Sequence, residues 1–422
     1  MAFINRPRVT LDSGPQLDAF NRLRTSSPTN VFNSKLLFDK RPFIWDEVLV
    51  NGATSVHSSV NAAVTMSVSS AGDIAVRQTF QRFNYQPGKS QLVLLTGVMS
   101  TESGVTKEIG YAKVSTCSPY AIQNGIVFGN NGTSAYVAIY KNGVQTEIAL
   151  QDDWNIDPMD GTGPSEITID WTKAQIFLCD FQWLGIGSVR MGLEINGNPY
   201  YVHTFHHSNI VSSVYMSTPN LPLVYKISSS GGSGSLDHIC SAVSSEGGVA
   251  ESGVTRGIDR GGSSSAPRLE NLVNDRLTAA FGIRLKSSYE GAAVQILKVI
   301  AQNVSGGNFL WQIHYNPTIR NFSAGTTSDT LYSPTWTSLN DSAVEYVNDS
   351  NANKYLVRNN DEGRVIASGY VSNNLDSINI GLENDRYLGF AIDGTPDELW
   401  IVIESDESGD EYHVGLIIRE LY

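Results

Sequence analysis

Cysteine, charge and helical periodicity are all scarce in this chain. Its 422 residues include three cysteines, Cys117, Cys179 and Cys240, none in CxxC spacing. An odd count cannot close a full disulfide set, so synthesis in a reducing cytoplasm is expected. Cys179 lies in an apolar run and reads as a small buried hydrophobe. Charged residues make up 17% and the net charge is −13. Such a surface repels nucleic acid, so neither DNA nor RNA is an expected partner. No apolar stretch approaches the roughly eighteen residues of a membrane span, so no membrane insertion is expected. The opening MAFINRPRVTLDSG has no signal-peptide apolar core, and export is expected only by lysis or as part of a particle. GxSxG, P-loop and HExxH motifs are all missing.

Ser, Thr, Asn and Gly stand where charge is missing, and period-two alternation is abundant. In Gln175–Trp183 both alternating faces are mainly apolar, which predicts a central strand covered on both sides, with Trp183 inside. Val189–Ile195 has one apolar and one polar face and reads as half-exposed. Asn196–Gly197 then closes a hairpin onto Tyr200–Phe205, because a type I′ turn needs positive φ at both central residues. A second hairpin is predicted around Asn142–Gly143. Asn–Gly pairs also begin at Asn51, Asn124 and Asn131, making five in all. Short strands with turn signals about every ten residues indicate a sandwich or jelly roll.

The predicted fold is therefore all-β: two antiparallel, jelly-roll-like sandwiches preceded by an extended N-terminal arm. The arm is placed at 1–42, where Pro7, Pro15, Pro28 and Pro42 interrupt any regular run. The first sandwich is placed at 43–258 and the second at 259–422. The Gly/Ser run Ser228–Ser235 reads as a linker or as a loop within one sandwich, and a second such run at Gly257–Ser265 marks the boundary. Two short helices are expected. Pro15–Arg24 carries Leu17, Phe20 and Leu23, and Arg268–Phe281 carries Leu269, Leu272, Val273 and Leu277.

Motifs that carry chemistry are few. Asp153, Asn155 and Asp157 alternate as the ligands of a hard-cation loop do, which makes them a weak calcium candidate. Pro158 replaces the glycine such a loop needs, and a polar loop with Asx turns is the plainer reading. His203 and His207 share a strand face but stand roughly 13 Å apart, too far for one metal, so structural histidines are expected. Asp170 and Asp180 are conceivable as a hydrolytic carboxylate pair. Trp154, Trp171, Trp183, Tyr200 and Tyr201 fit core packing better than sugar stacking. No catalytic residue and no cofactor is assigned.

Three blocks resemble a family of tailed-bacteriophage virion proteins: DAFNRLRTSSPTNVFNSKLLFDK at Asp18–Lys40, RQTFQRFNYQPGKSQLVLLTG at Arg77–Gly97, and Asp170–Pro222, with QIFLCDFQWLGIGSVRMGLEINGNPYYVHTFHH followed by VYMSTPNLP. The resemblance spans about residues 18–255. It implies a non-enzymatic structural part of a virion, made in the host cytoplasm, in the tail and adsorption apparatus or on the capsid surface. Copies of itself and other virion proteins are the implied partners. A host-glycan binding module is the alternative, and a polysaccharide hydrolase a further one. Phe20, Arg22, Arg24, Phe32, Arg82 and Tyr85 are the candidate interface residues, because Arg and aromatic side chains combine apolar area with hydrogen bonding. For Arg82, Phe83 and Tyr85, burial in the core is the competing expectation.

Overall fold

A computed structural model describes residues 27–247, 253–260, 276–303, 307–321, 330–347, 354–357, 360–372, 375–379, 388–408 and 411–421. Among them there is no α-helix; two single 3₁₀ turns accompany the strands. The chain is all-β, as its alternation predicts.

The first lobe opens with β1 (Pro28–Lys35), β2 (Trp45–Val50), β3 (Thr54–Ser58), β4 (Ala63–Val68) and β5 (Ile74–Thr79). It continues with β6 (Gln91–Val98), β7 (Val105–Val114), β8 (Ile122–Asn130), β9 (Ala135–Lys141) and β10 (Val144–Leu150). β11 (Ala174–Phe181), β12 (Val189–Ile195), β13 (Asn198–Phe205), β14 (Leu223–Ser229) and β15 (Gly234–Glu246) complete it. One sheet runs β13-β12-β11-β6-β15-β4-β3, with β1 on the far half of β15; the other runs β10-β9-β8-β7-β14-β5-β2. Period-two burial explains the packing. In β6 every second residue is buried, with Val93 and Leu95 facing the core that Trp45, Phe83, Tyr111, Phe177, Phe181 and Tyr225 also fill.

The second lobe holds β16 (Val254–Arg260), β17 (Leu277–Leu285), β18 (Ala293–Asn303) and β19 (Asn308–Tyr315). Short strands follow: β20 (Arg320–Asn321), β21 (Thr330–Leu331), β22 (Thr337–Ser338), β23 (Val344–Val347) and β24 (Lys354–Leu356). β25 (Arg364–Ser372), β26 (Leu375–Asn379), β27 (Glu398–Ser405) and β28 (Tyr412–Leu421) close the chain. β16-β28-β18-β26 form one sheet, and the other is built around β24-β17-β27-β19-β25. Phe281, Phe309, Trp311 and Tyr412 lie in the core of this lobe.

The structure corrects several boundaries. Pro28–Lys35, assigned to the arm, is a strand of the chain's own sheet, paired with Lys35 opposite Cys240. Backbone pairing to β15 and the burial of Phe32 and Leu36 hold it there. The first sandwich ends before 258, because β16 already pairs with β28 of the second lobe. The predicted helix at Arg268–Phe281 fails from Arg276 onward, with β17 beginning at Leu277; residues 268–275, like Pro15–Arg24, lie outside the described residues. A nearly continuous apolar run is compatible with a buried strand, and β17 is buried on both faces. Residues 388–392 form no named strand and make only the isolated bridge Phe390–Pro396. Ser228–Ser235 is a connection inside the first lobe, from β14 in one sheet to β15 in the other.

The hairpins at Asn142–Gly143 and Asn196–Gly197 form with φ near 50–55° at asparagine and 78° at glycine. Asn51–Gly52 instead carries the chain from one sheet to the other, and Asn124–Gly125 lies inside β8.

Candidate functional site at the seam between the lobes

β5 ends at Thr79; Phe80 and Arg82 then meet the second lobe, while Phe83 bridges Leu221 and packs into the core of the first. A hook from the second lobe, residues 388–397, meets Phe80 and Arg82. It is turned back by Asp393–Gly394, with Gly394 at φ 85° and the Thr395 amide donating to the Asp393 carboxylate at 2.8 Å. The Phe390 amide donates to the Phe80 carbonyl at 3.2 Å. Arg82 then staples the contact. One terminal nitrogen donates to the carbonyls of Phe80 and Phe390, each at 2.7 Å, and the other pairs with Glu290 at 2.9 Å. Glu290 also takes Lys113 of the first lobe. Burial pulls the Arg82 guanidinium below the usual arginine range, and Glu290 opposes that shift. Beyond the staple, the Ile392 amide donates to Asp46 at 2.6 Å. The Ile392 side chain joins Val76, Val114 and Val224 on the outer face of the seven-stranded sheet.

Beside the hook lies a cleft of about 320 Å³, lined by residues of both lobes that include Phe80, Asn316, Thr395, Asp397 and Glu398. Asp397 is buried and accepts from Tyr315 Oη, from Asn316 Nδ2 at 2.9 Å and from the Gly389 amide at 3.0 Å. Asn316 also clamps the start of β27: its amide donates to the Glu398 carbonyl at 2.8 Å and its Oδ1 accepts from the Glu398 amide at 2.7 Å. Burial pushes both the Asp397 and Glu398 carboxyls above the usual carboxylate range. Trp400 Nε1 donates to Glu398 at 2.9 Å, and Arg284 stands 3.7 Å away.

The residues singled out from sequence fall elsewhere. Of the candidate interface set, Phe20, Arg22 and Arg24 lie outside the described residues. Phe32, Arg82 and Tyr85 are buried within the chain itself, which corrects their placement on a subunit interface. Phe32 packs on Phe83 at 4.9 Å, and Tyr85 donates to the Lys89 carbonyl at 2.8 Å.

Asp153, Asn155 and Asp157 do not converge. Asp157 accepts the Met159 and Ser165 amides at 2.9 Å each, and Asn155 brackets Thr204 with two bonds of 2.9 Å. Among the described residues there is no group of three or more His, Cys, Asp or Glu side chains able to hold a metal ion. His203 accepts the Asn155 amide at 3.2 Å. His207 is buried, stacked on Tyr215 at 4.1 Å, and bridges the Gly187 carbonyl and Glu147.

Asp170 caps a turn through Thr172, while Asp180 holds Ser90, Arg190 and Tyr201. The strand from Ala174 to Asp180 alone spans about 20 Å, beyond either hydrolytic spacing. Trp154 is buried, whereas Trp183, expected inside, is half-buried with its indole donating to the Met216 carbonyl at 3.2 Å.

One cluster was missed. On the outer face of the seven-stranded sheet, buried Glu108 accepts from Tyr136 at 3.1 Å, Tyr140 at 3.0 Å and Lys226 at 2.8 Å. Burial and the Glu108 charge push both phenols up. The signal available was the one charge at an outward position of each strand, Glu108 and Lys226, although β7 also carries Lys107 and Lys113.

No family model matches the chain, and no curated protein matches it. Solved structures do. The Bacillus licheniformis β-glucanase is 10% identical over 54% of this chain and 100% of its own, with a TM-score of 0.32. A legume lectin-like domain from Entamoeba histolytica is 10% identical over 52% and 99%, with a TM-score of 0.33. A carbohydrate esterase of the Shiga toxin-encoding bacteriophage phi24B is 11% identical over 52% and 99%, with a TM-score of 0.31.

Proposed function

We propose that this chain is a non-enzymatic structural component of a tailed-phage virion, assembling with copies of itself and with other virion proteins. Two features support the reading besides the resemblance over residues 18–255. The Arg82 staple joins the lobes through a buried ion pair and backbone bonds, as a load-carrying subunit requires. The observation that carries the proposal is an apolar rim. β2 and β3 are the edge strands of the two first-lobe sheets, joined through Asn51–Gly52. Leu49 and Val56 are exposed on them, Leu37, Phe38 and Phe43 on the segment before β2, and Val60 in the turn after β3, with Phe38 at 90% and Val60 at 93%. His57 ties β3 to that segment through the Leu36 carbonyl at 2.8 Å. Two sheet edges flanked by exposed apolar side chains form a surface for protein association.

The test is the oligomeric state of the full chain by light scattering, with Phe38→Asp and Val60→Asp. A defined oligomer that the double variant dissociates is the expected result. A wild-type monomer that also fails to bind purified particles would overturn the proposal. The seam cleft favours a second reading, recognition of a host glycan, which requires no change to the assembly role.

A further inference from the structure

We propose that the cleft between the lobes is a binding site for a neutral saccharide unit, with Phe80 and Pro317 as its apolar wall and Asn316, Thr395 and Glu398 as its polar one. This rests on the glycan-recognition reading and assigns it a place.

Four observations carry the proposal. The cleft is a space of about 320 Å³ where residues of the two lobes meet, and small-molecule sites are commonly found at such junctions. That volume accommodates one or two sugar rings rather than a polymer segment. Its lining mixes an aromatic ring and prolines with a few convergent polar groups. A pyranose offers matching chemistry: a C–H face for the ring and hydroxyls for the polar groups.

The polar groups are also held still. Asn316 is fixed by bonds to both Asp397 and Glu398, and Asp397 by three donors. A pre-ordered lining loses little side-chain freedom when a ligand arrives.

The cleft selects against charge. Glu398 sits where burial disfavours its ionised form, so a hydroxyl donor stabilises it. A cationic ligand would do the same, but both carboxylates already have a guanidinium behind them. Arg82 acts on Asp397 across the seam, and Arg284 stands 3.7 Å from Glu398. Their positive charge opposes a second cation and leaves a neutral donor favoured. A ligand carboxylate or phosphate would instead meet the partly exposed Glu398 carboxylate.

Finally, the site lies on the hook. Ala391, Thr395 and Pro396 supply one wall, and the same segment carries the Arg82 contact at Phe390. A bound sugar would bridge Phe80 of one lobe to Thr395 of the other and add to the seam.

The experiment titrates the full chain with glucose, galactose and N-acetylglucosamine, each as monomer and linear trimer, and with n-butylammonium as the cationic probe. Binding is read by saturation-transfer NMR and calorimetry. At least one saccharide is expected to saturate in the millimolar range. Phe80→Ala and Thr395→Val are each expected to weaken it by about tenfold. Circular dichroism controls for folding, and Thr395→Val, at an exposed position, keeps the test open if Phe80→Ala does not fold. Saccharide binding that neither variant alters would overturn the cleft and leave glycan recognition standing elsewhere on the chain. Absence of any saturable saccharide binding would remove both. Tighter binding of butylammonium than of every saccharide would overturn the assignment of ligand class. Oligomeric state is independent of all these outcomes, so the assembly reading is judged separately.

Discussion

Replacing Arg82 by methionine should uncouple the two lobes. The substitution keeps much of the buried volume and removes every polar contact of the guanidinium. Three short bonds are lost, those to the Phe80 and Phe390 carbonyls and the ion pair with Glu290, together with a longer one of 3.4 Å to the Thr79 carbonyl. Bonds to charged groups contribute about 1.5–3 kcal/mol each, and breaking a buried pair costs about 3–5 kcal/mol. Two details place the effect at the lower end. Glu290 keeps Lys113 and is a quarter exposed, so no buried charge is stranded. Arg82 Nε is itself buried without a partner, so the wild-type residue already carries an uncompensated penalty. The net loss should be about 3 kcal/mol. For a unit of roughly 200 residues that lowers Tm by about 6–12 °C. Scanning calorimetry should show one endotherm for the wild type and two for Arg82→Met, the lower one displaced by that amount. Arg82→Lys should fall between them, because one ammonium cannot span three acceptors set in different directions. A single endotherm for Arg82→Met within 2 °C of wild type would refute the account of the seam.

Three further outcomes follow from buried groups. Backbone amides of Ser69, Gly52 and Ser70 hold the Asp73 carboxyl below its ordinary value. Its stabilisation is therefore complete above the ordinary carboxylate range, about pH 5, and is lost as pH falls through the lower folded value. The stability gap between wild type and Asp73→Asn in urea titrations should be constant above pH 5 and shrink below pH 4. At Gly129 an added Cβ would lie 2.0 Å from the Tyr136 ring. Gly129→Ala should displace that ring from Glu108 and destabilise by about 1–3 kcal/mol in chemical denaturation. Of the three thiols, Cys117 is exposed, Cys240 is half-buried and Cys179 is buried, with its pKa pushed well up by burial. A thiol-reactive chromophore at pH 8 should therefore titrate Cys117 fast, Cys240 slowly, and Cys179 only on unfolding.

The strands were readable because they alternate, and β11, β12 and β13 lie where that alternation puts them. Asn142–Gly143 and Asn196–Gly197 were readable because a two-residue turn demands positive φ. The same dipeptide at Asn124 misled, since Gly125 is an accommodated residue within β8. β17 misled for another reason: a strand buried on both faces has no polar phase, and its leucines can be fitted to a helical repeat. The seam was invisible. Arg82 and Phe390 are 308 residues apart, and nothing local to either marks the other. Arg82 was singled out as a candidate subunit-interface side chain, and it is instead buried between two lobes of its own chain. Glu108 and Lys226 each look like a solvated charge until the sheet brings them together. Pro28–Lys35 read as an arm because two prolines frame it, and only its pairing with β15 shows that it is a strand.

The central claim is that this chain is a structural part of a phage particle. The direct measurement is cryo-electron microscopy of gradient-purified particles, with quantitative mass spectrometry of the same fractions. Particles should carry the chain at a fixed, symmetry-related copy number, with density for two β-sandwiches and the Leu37–Val60 rim against a neighbouring subunit. Complete absence of the chain from particles, with its presence in the lysate, would contradict it.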